Sequence, residues 1–492
     1  MPDHKKINVL YLASEADPII KVGGLGDVAG SLPKALRKLS PAKLGGQSLD
    51  VRLVLPFHSV ITQKFDNFQL VSSFTVPHPN GGIGSRAFLS YIGDLPVYLI
   101  EGYSLLTAPT VYSKDNLRDT RKYTYFSLAV LEFVKSINWH VDILHANDWH
   151  TALSVYDLKL RRQQEPFFSN TYSILSMHNM PYMGAESKKV IHDFGLLTCE
   201  CDHLPDWART IPLPIGMYAA DQLLTVSPNY AKEILTPEYG CGLQDFLVSR
   251  KESVAGILNG IDTDDWNPKT DAALLFRYDE DTLETRSLNK TALQDEFSLE
   301  KDPQIPLIVL VSRMDQQKGI DIAIEGLRIS SNLNFQAIFL GTGDPILEAA
   351  CRSLEVEFPD RVRAAIRFDL NLSRRMYAGG DLLLIPSRYE PCGLTQMIGM
   401  HYGCVPLARA TGGLKDTIID SKNENKNTGF LFNAATPEAF AHTLLRAITI
   451  FKDQQKWNQL QKNGMQSDFS WEKSALKYAH LYMDLTGGKN EN

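Results

Sequence analysis

A doubly wound parallel-sheet α/β architecture, repeated in two domains, is the fold class this sequence predicts, on three observations. Short apolar runs alternate with helical patterns along the chain, the alternation restarts as a second series past the middle, and 492 residues exceed what one hydrophobic core ordinarily serves. The apolar runs are also uninterrupted, which suits parallel strands buried on both faces.

In the first series the strands are "INVLYLA" (7–13), "DVRLVLP" (50–56), "LPVYLIE" (95–101), "VDILHAN" (141–147), "YSILSMHN" (172–179) and "QLLTVS" (222–227). Helical patterns such as "DVAGSLPKALRKL" and "YFSLAVLEFVKSI" lie between them. With a helix start near Asp27, Pro33 falls in the opening turns, where its missing N–H is tolerated. The second series pairs "LIVLVSR" (307–313) with "GIDIAIEGLRI", "FQAIFLGTG" (335–343) with "PILEAACRSLEVEF", "DLLLIPSR" (381–388) with "GLTQMIGMHYG", and "VPLARATGG" (405–413) with "LKDTIID". The join lies near "ILNGIDTDDWNPKT" (257–270), rich in Asn, Asp, Gly and Pro. The expected domains are therefore 1–260 and 261–465, with a closing helix at 466–492 that packs back toward the first.

Hydrophobic content of 44% and charged content of 22% belong to a globular protein. A net charge of −7 argues against nucleic acid or an anionic membrane as the main partner, so any phosphate site is local. Six scattered cysteines have neither zinc-site spacing nor the density of a disulfide framework, which points to reduced thiols in a cytoplasmic setting. The strand at residue 7 leaves no room for a signal or transit peptide, and "IPLIVLVS" (305–312) is too short to span a bilayer.

Parallel sheets bind ligands beyond the carboxyl ends of their strands. "KVGGLGDVAG" (21–30), "HANDWH", "MHNMPYMG", "SRMDQQKG", "GTGD", "SRYEPCGLTQ" and "ATGGL" all occupy such ends. The first reads either as a flexible turn or as a loop whose glycines let the backbone crowd a ligand, with Lys21 adding a positive charge. Arg313 and Lys318 suit a diphosphate and its stabilisation as a leaving group, or are a solvated basic turn. "TGGL" (411–414) has the pattern of a helix start that offers N–H groups to phosphate. Glu390 suits sugar hydroxyls or a helix N-terminus, and Cys392 beside it reads as a small packed residue. His145, Asp148, His150 and His178 match no zinc spacing, and Asp262, Asp264 and Asp265 read as a structural turn, so no metal is expected.

Taken together, "KVGGLGDV", "HANDWH", "HN" (178–179), "TPEYGCGL", "GILNGIDTDDWNP", "SRMDQQKGID", "GTGDP", "SRYEPCGLTQ", "TGGLKDT" and "FSWEKSA" resemble the bacterial glycogen synthase and plant starch synthase family, in order and over nearly the whole chain. The resemblance implies the GT-B fold, two facing Rossmann-like domains with the active site in the interdomain cleft. It implies retaining transfer of glucose from the nucleotide sugar ADP-glucose to the non-reducing end of an α-1,4-glucan, with no metal or other cofactor. Carried over by residue, Lys21, Gly23 and Gly24 contact the donor and the incoming glucan end, while Arg313 and Lys318 hold the diphosphate. Glu390 binds the donor glucose, Gly412 and Gly413 lie near its phosphate, and His178 and Asp148 touch the sugar. Asn179, Thr411, Cys392, Gly393 and Leu394 complete the substrate-binding set. The wider clan often has a second Glu eight positions after the first, where this chain, like its branch, has an apolar residue, Ile398. No enzymatic nucleophile is evident, which leads to an expected same-face displacement.

Departures concentrate in the first half. Met183 replaces the usual Gln of H-N-x-x-Y-Q-G, Ile211 and Pro214 stand where an Asn and a Lys are expected, and Arg118-Asp119 stands for an Asp-Asn pair. They imply altered acceptor choice or reduced elongation. Two other readings stay open: a related GT-B transferase with another donor or acceptor, and a catalytically weak glucan-binding regulatory paralogue.

Overall fold

The computed structural model describes residues 6–103, 105 and 107–487. The chain forms two compact units, one running to Gly260 and resuming at Trp471, the other spanning Ile261–Ser470. Residues 466–470, assigned above to the closing helix, thus belong to the second unit, and the helix itself is Trp471–Gly487.

Unit 1 holds β1 (Lys6–Leu12), β2 (Ser48–Pro56), β3 (Gln69–Val76), β4 (Ile83–Ile92), β5 (Leu95–Gly102), β6 (Ile143–Asn147), β7 (Tyr172–Met177), β8 (Gln222–Thr225) and β9 (Val254–Gly256). They pair in the order β3-β4-β5-β2-β1-β6-β7-β8-β9. Without β3 and β4 this is the doubly wound order 3-2-1-4-5-6, extended by one strand. The β3–β4 pair is antiparallel, as is β4–β5, and corrects the all-parallel expectation. Its signals are present in the sequence: "HPNGG" with Gly81 at φ +104°, then the two-residue turn Gly93-Asp94 with Gly93 at φ +62°.

The uninterrupted apolar runs have a direct explanation in β1. Ile7, Val9 and Tyr11 enter one core, shared with the helices Gly24–Lys38 and Trp471–Gly487. Leu10 and Leu12 enter the other, shared with the helices Asn116–Ser136, Asp148–Arg162 and Pro212–Ala219. A period of two on a sheet covered on both faces thus favours apolar residues at successive positions, as from Val9 to Leu12. Ala475, Tyr478, Ala479 and Tyr482 form the buried stripe of the closing helix at helical spacing. Tyr482 also hydrogen-bonds through its hydroxyl to Nδ1 of His145 on β6 at 2.7 Å. Burial holds the His145 imidazole neutral, with its pKa lowered to about 3.

The first helix begins at Gly24, three residues before the expected start, so Pro33 sits in its interior and not in its opening turns. Pro33 lacks the N–H that would reach the Ala29 carbonyl, and both residues are buried.

Unit 2 holds β10 (Leu307–Val311), β11 (Gln336–Gly341), β12 (Val362–Ile366), β13 (Leu382–Ile385), β14 (Val405–Arg409) and β15 (Phe430–Phe432). Their order, β12-β11-β10-β13-β14-β15, is again 3-2-1-4-5-6, with every pair parallel. The strand order therefore reverses beside β1 and β6 in unit 1 and beside β10 and β13 in unit 2. Those points are where doubly wound sheets take ligands.

Candidate active site

In unit 1 the loop after β1 is organised by Glu15, a residue that sequence reasoning passed over. Its carboxylate is 1% exposed, and one oxygen accepts the N–H groups of Val22 and, at 2.9 Å, Gly23. The other oxygen accepts the Tyr112 hydroxyl at 2.8 Å. The signal was an acid two residues beyond a predicted strand, in "ASEADP". Lys21 is exposed, with Nζ 2.5 Å from Asp27. Burial raises the Asp27 carboxyl pKa, an effect Lys21 opposes.

The glycines of this loop have different reasons. A Cβ on Gly30 would lie 2.3 Å from the Asp17 carbonyl oxygen, and one on Gly26 would crowd Lys21 and Glu15 at 3.0–3.1 Å. Those two are packing residues. A Cβ on Gly24 would meet nothing within 4 Å, so only there does the loop leave room beside its backbone.

Across the switch point, β6 ends at Asn147 and β7 at Met177, which brings Asn147, Asp148, His178 and Asn179 together. Asp148 takes φ +56°, left-handed for a non-glycine residue, and its Oδ1 accepts the His178 N–H at 2.7 Å. Asn147 donates its amide to the Leu12 carbonyl at 2.8 Å, which leaves its oxygen to accept from His178 Nε2 at 2.8 Å. His178 therefore carries its proton on Nε2 and presents Nδ1 as an acceptor. Burial lowers the His178 pKa and raises that of Asp148, whose charge is partly restored by His178 and by backbone N–H groups. Asn179 keeps a buried side-chain oxygen without a hydrogen-bond partner among the described residues.

Of the other histidines, His145 bonds Tyr482 and Ser176, and His150 is buried among Tyr112, Tyr123 and Trp149. Neither lies with His178 as a ligand set, and among the described residues no three His, Cys, Asp or Glu are grouped as a metal centre. Asp262 accepts the N–H groups of Asp264 and Asp265, forming a turn.

In unit 2, Lys318 and Glu390 form a largely buried pair, Nζ to Oε2 at 2.7 Å, with side chains 19% and 8% exposed. The same oxygen accepts from Ser387 at 2.9 Å. Arg313 is exposed and pairs with Asp315 at 3.2 Å, and Asp315 in turn accepts the Lys318 N–H at 3.1 Å. Asp315 thus links the two expected phosphate-binding cations, a role that spacing alone did not reveal. A Cβ on Gly319, at φ +64°, would lie 2.1 Å from the Pro386 carbonyl oxygen, so glycine lets the Lys318 turn seat against the loop that carries Glu390.

Gly412 and Gly413 also have a packing reason. Their Cβ atoms would lie 1.9 Å from the Glu390 carbonyl and 2.0 Å from that of Cys392. The Gly413 N–H donates to the Glu390 carbonyl at 3.0 Å and so is not offered to phosphate as expected. Thr411 and Cys392 are buried, Gly393 takes φ +74°, and Leu394 caps the helix Thr395–His401. Phe368, two residues beyond β12, is 85% exposed and was not anticipated.

The departing residues are built into the packing of unit 1. Pro214 is buried, and Met183 packs against the same core while accepting the Leu213 N–H at 3.1 Å through its carbonyl. Asp119 turns inward to the Lys122 ammonium and the Ser113 N–H, at 2.8 and 2.7 Å.

Residues 8–249 match the family described as starch synthase catalytic domain, and 293–466 that described as glycosyl transferases group 1. A glycogen synthase of Clostridium novyi is 37% identical over 97% of this chain and 99% of its own length. A glycogen synthase 2 of Geobacter sulfurreducens is 34% identical, over 97% and 98%. The catalytic domain of starch synthase IV from Arabidopsis thaliana, bound to ADP and acarbose, superposes with a TM-score of 0.85 and 31% identity over 98% of this chain and all of that one. Sucrose-phosphate synthase from Thermosynechococcus elongatus shares the fold, with a TM-score of 0.61 and 18% identity over 98% of this chain and all of that one.

Proposed function

This chain belongs to the glycogen synthase and starch synthase family, with the GT-B fold, and we propose that its donor is ADP-glucose, its acceptor an α-1,4-glucan, and that no metal takes part. Its activity is that of a glycogen or starch synthase, a retaining glucosyltransferase. The observation that carries the donor reading is the Lys318–Glu390 pair beside the unit 2 switch point, with exposed Arg313 on the same loop. An ammonium has three donors, so Lys318 serves Glu390 and still reaches a diphosphate oxygen. Glu390 suits the hydroxyls of the donor glucose, and exposed Phe368 gives a nucleotide base a face to stack on. In unit 1, His178, Asp148 and Asn179 suit the sugar, and Lys21 with Gly24 suits the donor and the incoming glucan end.

In the reaction the bond from the anomeric carbon to the diphosphate oxygen breaks while the acceptor hydroxyl oxygen bonds to that carbon on the same face. The hydroxyl proton passes to the departing phosphate oxygen, and Arg313 and Lys318 stabilise the charge that develops there, a contribution of about 10²–10³-fold for each well-placed donor. A trapped glycosyl-enzyme would overturn this route.

The test is glucosyl transfer from ADP-glucose and, separately, UDP-glucose to glycogen, maltotriose or no primer. Elongation from ADP-glucose alone supports the reading, and preference for UDP-glucose overturns it. A second reading, altered acceptor choice, is favoured by the burial of Pro214 and the packing of Met183, since neither position supplies a hydrogen bond from its side chain. It predicts a maltotriose-to-glycogen rate ratio different from that of the Clostridium novyi enzyme, and equal ratios would end it.

A further inference from the structure

Unit 1 carries an open pocket of about 270 Å³ between two segments that follow β7 and precede β8. Glu186, Ser187, Lys188 and Lys189 line one side, and Trp207, Thr210 and Ile211 the other. The walls are fixed to one another: Ser187 Oγ lies 2.7 Å from the Thr210 carbonyl oxygen and 3.0 Å from that of Gly184. Gly184 is seated so tightly that a Cβ there would lie 2.6 Å from the Trp149 ring and 3.0 Å from Pro212. The pocket is therefore part of the packed body of the unit, and Glu186 is held at φ +61°, a conformation non-glycine residues rarely take.

Its chemistry is specific. Trp207 is 47% exposed, although tryptophan is usually highly buried, and its ring edge rests near Gly242, where a Cβ would come within 3.4 Å. Around the indole, Glu186, Lys188 and Lys189 make no side-chain hydrogen bond or ion pair among the described residues. A half-exposed indole in a pocket that also holds unused donors and an acceptor suits a pyranose. The sugar's C–H edge meets the electron-rich face of the ring, and its hydroxyls meet the charged rim.

We propose that this pocket binds a glucosyl unit of an α-glucan, with Trp207 as its stacking platform. The inference rests on the synthase reading for the identity of the sugar. It also gives Ile211 a place: in the pocket wall beside Trp207, an apolar side chain extends the surface that a sugar ring covers.

The experiment uses the full chain in native gels with and without glycogen, together with calorimetric titration of maltohexaose and of ADP-glucose. Trp207→Ala should weaken retardation by glycogen and maltohexaose affinity at least fivefold, while ADP-glucose affinity and melting temperature stay at wild-type values. Trp207→Phe should keep most of the glucan affinity, and Lys188→Ala/Lys189→Ala should lose an intermediate share. Wild-type retardation by Trp207→Ala overturns the assignment, as does a wild-type chain that glycogen does not retard. Equal loss of ADP-glucose affinity also overturns it, as does loss of binding that tracks a lowered melting temperature in both Trp207 variants. If glycogen binding depends on Trp207 but no glucose is transferred from ADP-glucose, the donor assignment fails while the pocket stands.

Discussion

One carboxylate oxygen of Glu15 accepts the Tyr112 hydroxyl, while the other accepts the N–H groups of Val22 and Gly23. A buried acid thus joins a distant loop, 97 residues away, to the segment that presents Lys21. The same loop is held at Ser113 by Asp119, so the Asp119 of the Arg118-Asp119 departure supports this arrangement.

Removing Glu15 should therefore misplace the loop. Glu15→Ala leaves two N–H groups and a hydroxyl without their acceptor, and kcat should fall by about 10²-fold, the scale of a misplacement near 1 Å. Glu15→Gln keeps a carbonyl oxygen for the N–H groups, and Tyr112 can donate instead to Ser14, 2.9 Å away, so the loss should stay within about fivefold. Steady-state kinetics of the pair check this, and equal losses in both variants would count against loop positioning.

The Lys318–Glu390 pair makes a separable prediction. Lys318→Ala leaves a buried carboxylate without its counter-charge, with only Ser387 still donating to it, which should cost unit 2 about 3 kcal/mol and lower its melting transition. Adding Glu390→Gln should restore most of that stability without restoring transfer. Calorimetric unfolding alongside an activity assay distinguishes the two effects.

Gly30 and Gly24 should respond in opposite ways. Gly30→Ala places a methyl group 2.3 Å from the Asp17 carbonyl oxygen and should destabilise unit 1 by about 1–3 kcal/mol. Gly24→Ala meets no atom within 4 Å, so the melting temperature should hold while donor or acceptor KM rises. Unchanged KM in Gly24→Ala would remove this position from the site.

His145 sets a pH dependence. Its folded pKa is lowered from 6.5 to about 3, so between those values the unfolded chain binds a proton that the folded chain does not. Stability is therefore full above pH 6.5 and falls with acidification, with this residue contributing about 1.4 kcal/mol per pH unit. His145→Gln should make the slope of unfolding free energy shallower by that amount between pH 6 and 4, as read by denaturant titration.

In β1 from Val9 to Leu12 and in β10 both faces are buried, so these stretches are apolar without a break and were legible. The β3–β4 pair escaped for the opposite reason: β3 alternates exposed and half-buried residues, and its turns, not its hydrophobicity, mark it. Among the candidate site residues, Lys318, Glu390 and His178 stood out in the sequence from their places after strands. Glu15, Tyr112 and Asp315 did not, since each matters through a partner that only the folded chain brings near. The glycines at 30, 412 and 413 stood out in their motifs, but a motif reveals that a Cβ is missing and not what it would strike.

The Trp471–Gly487 helix completes the core that begins at Ile7, and all of unit 2 lies between them in the chain. On the ribosome, the first sheet to be made is thus the last to be finished. Unit 2 can close as soon as Ser470 emerges, whereas unit 1 waits with one face of its sheet covered only in part, by the Gly24–Lys38 helix, until the stripe from Ala475 to Tyr482 arrives. A nascent chain stalled before Trp471 would leave exposed the part of that apolar face which the closing helix covers.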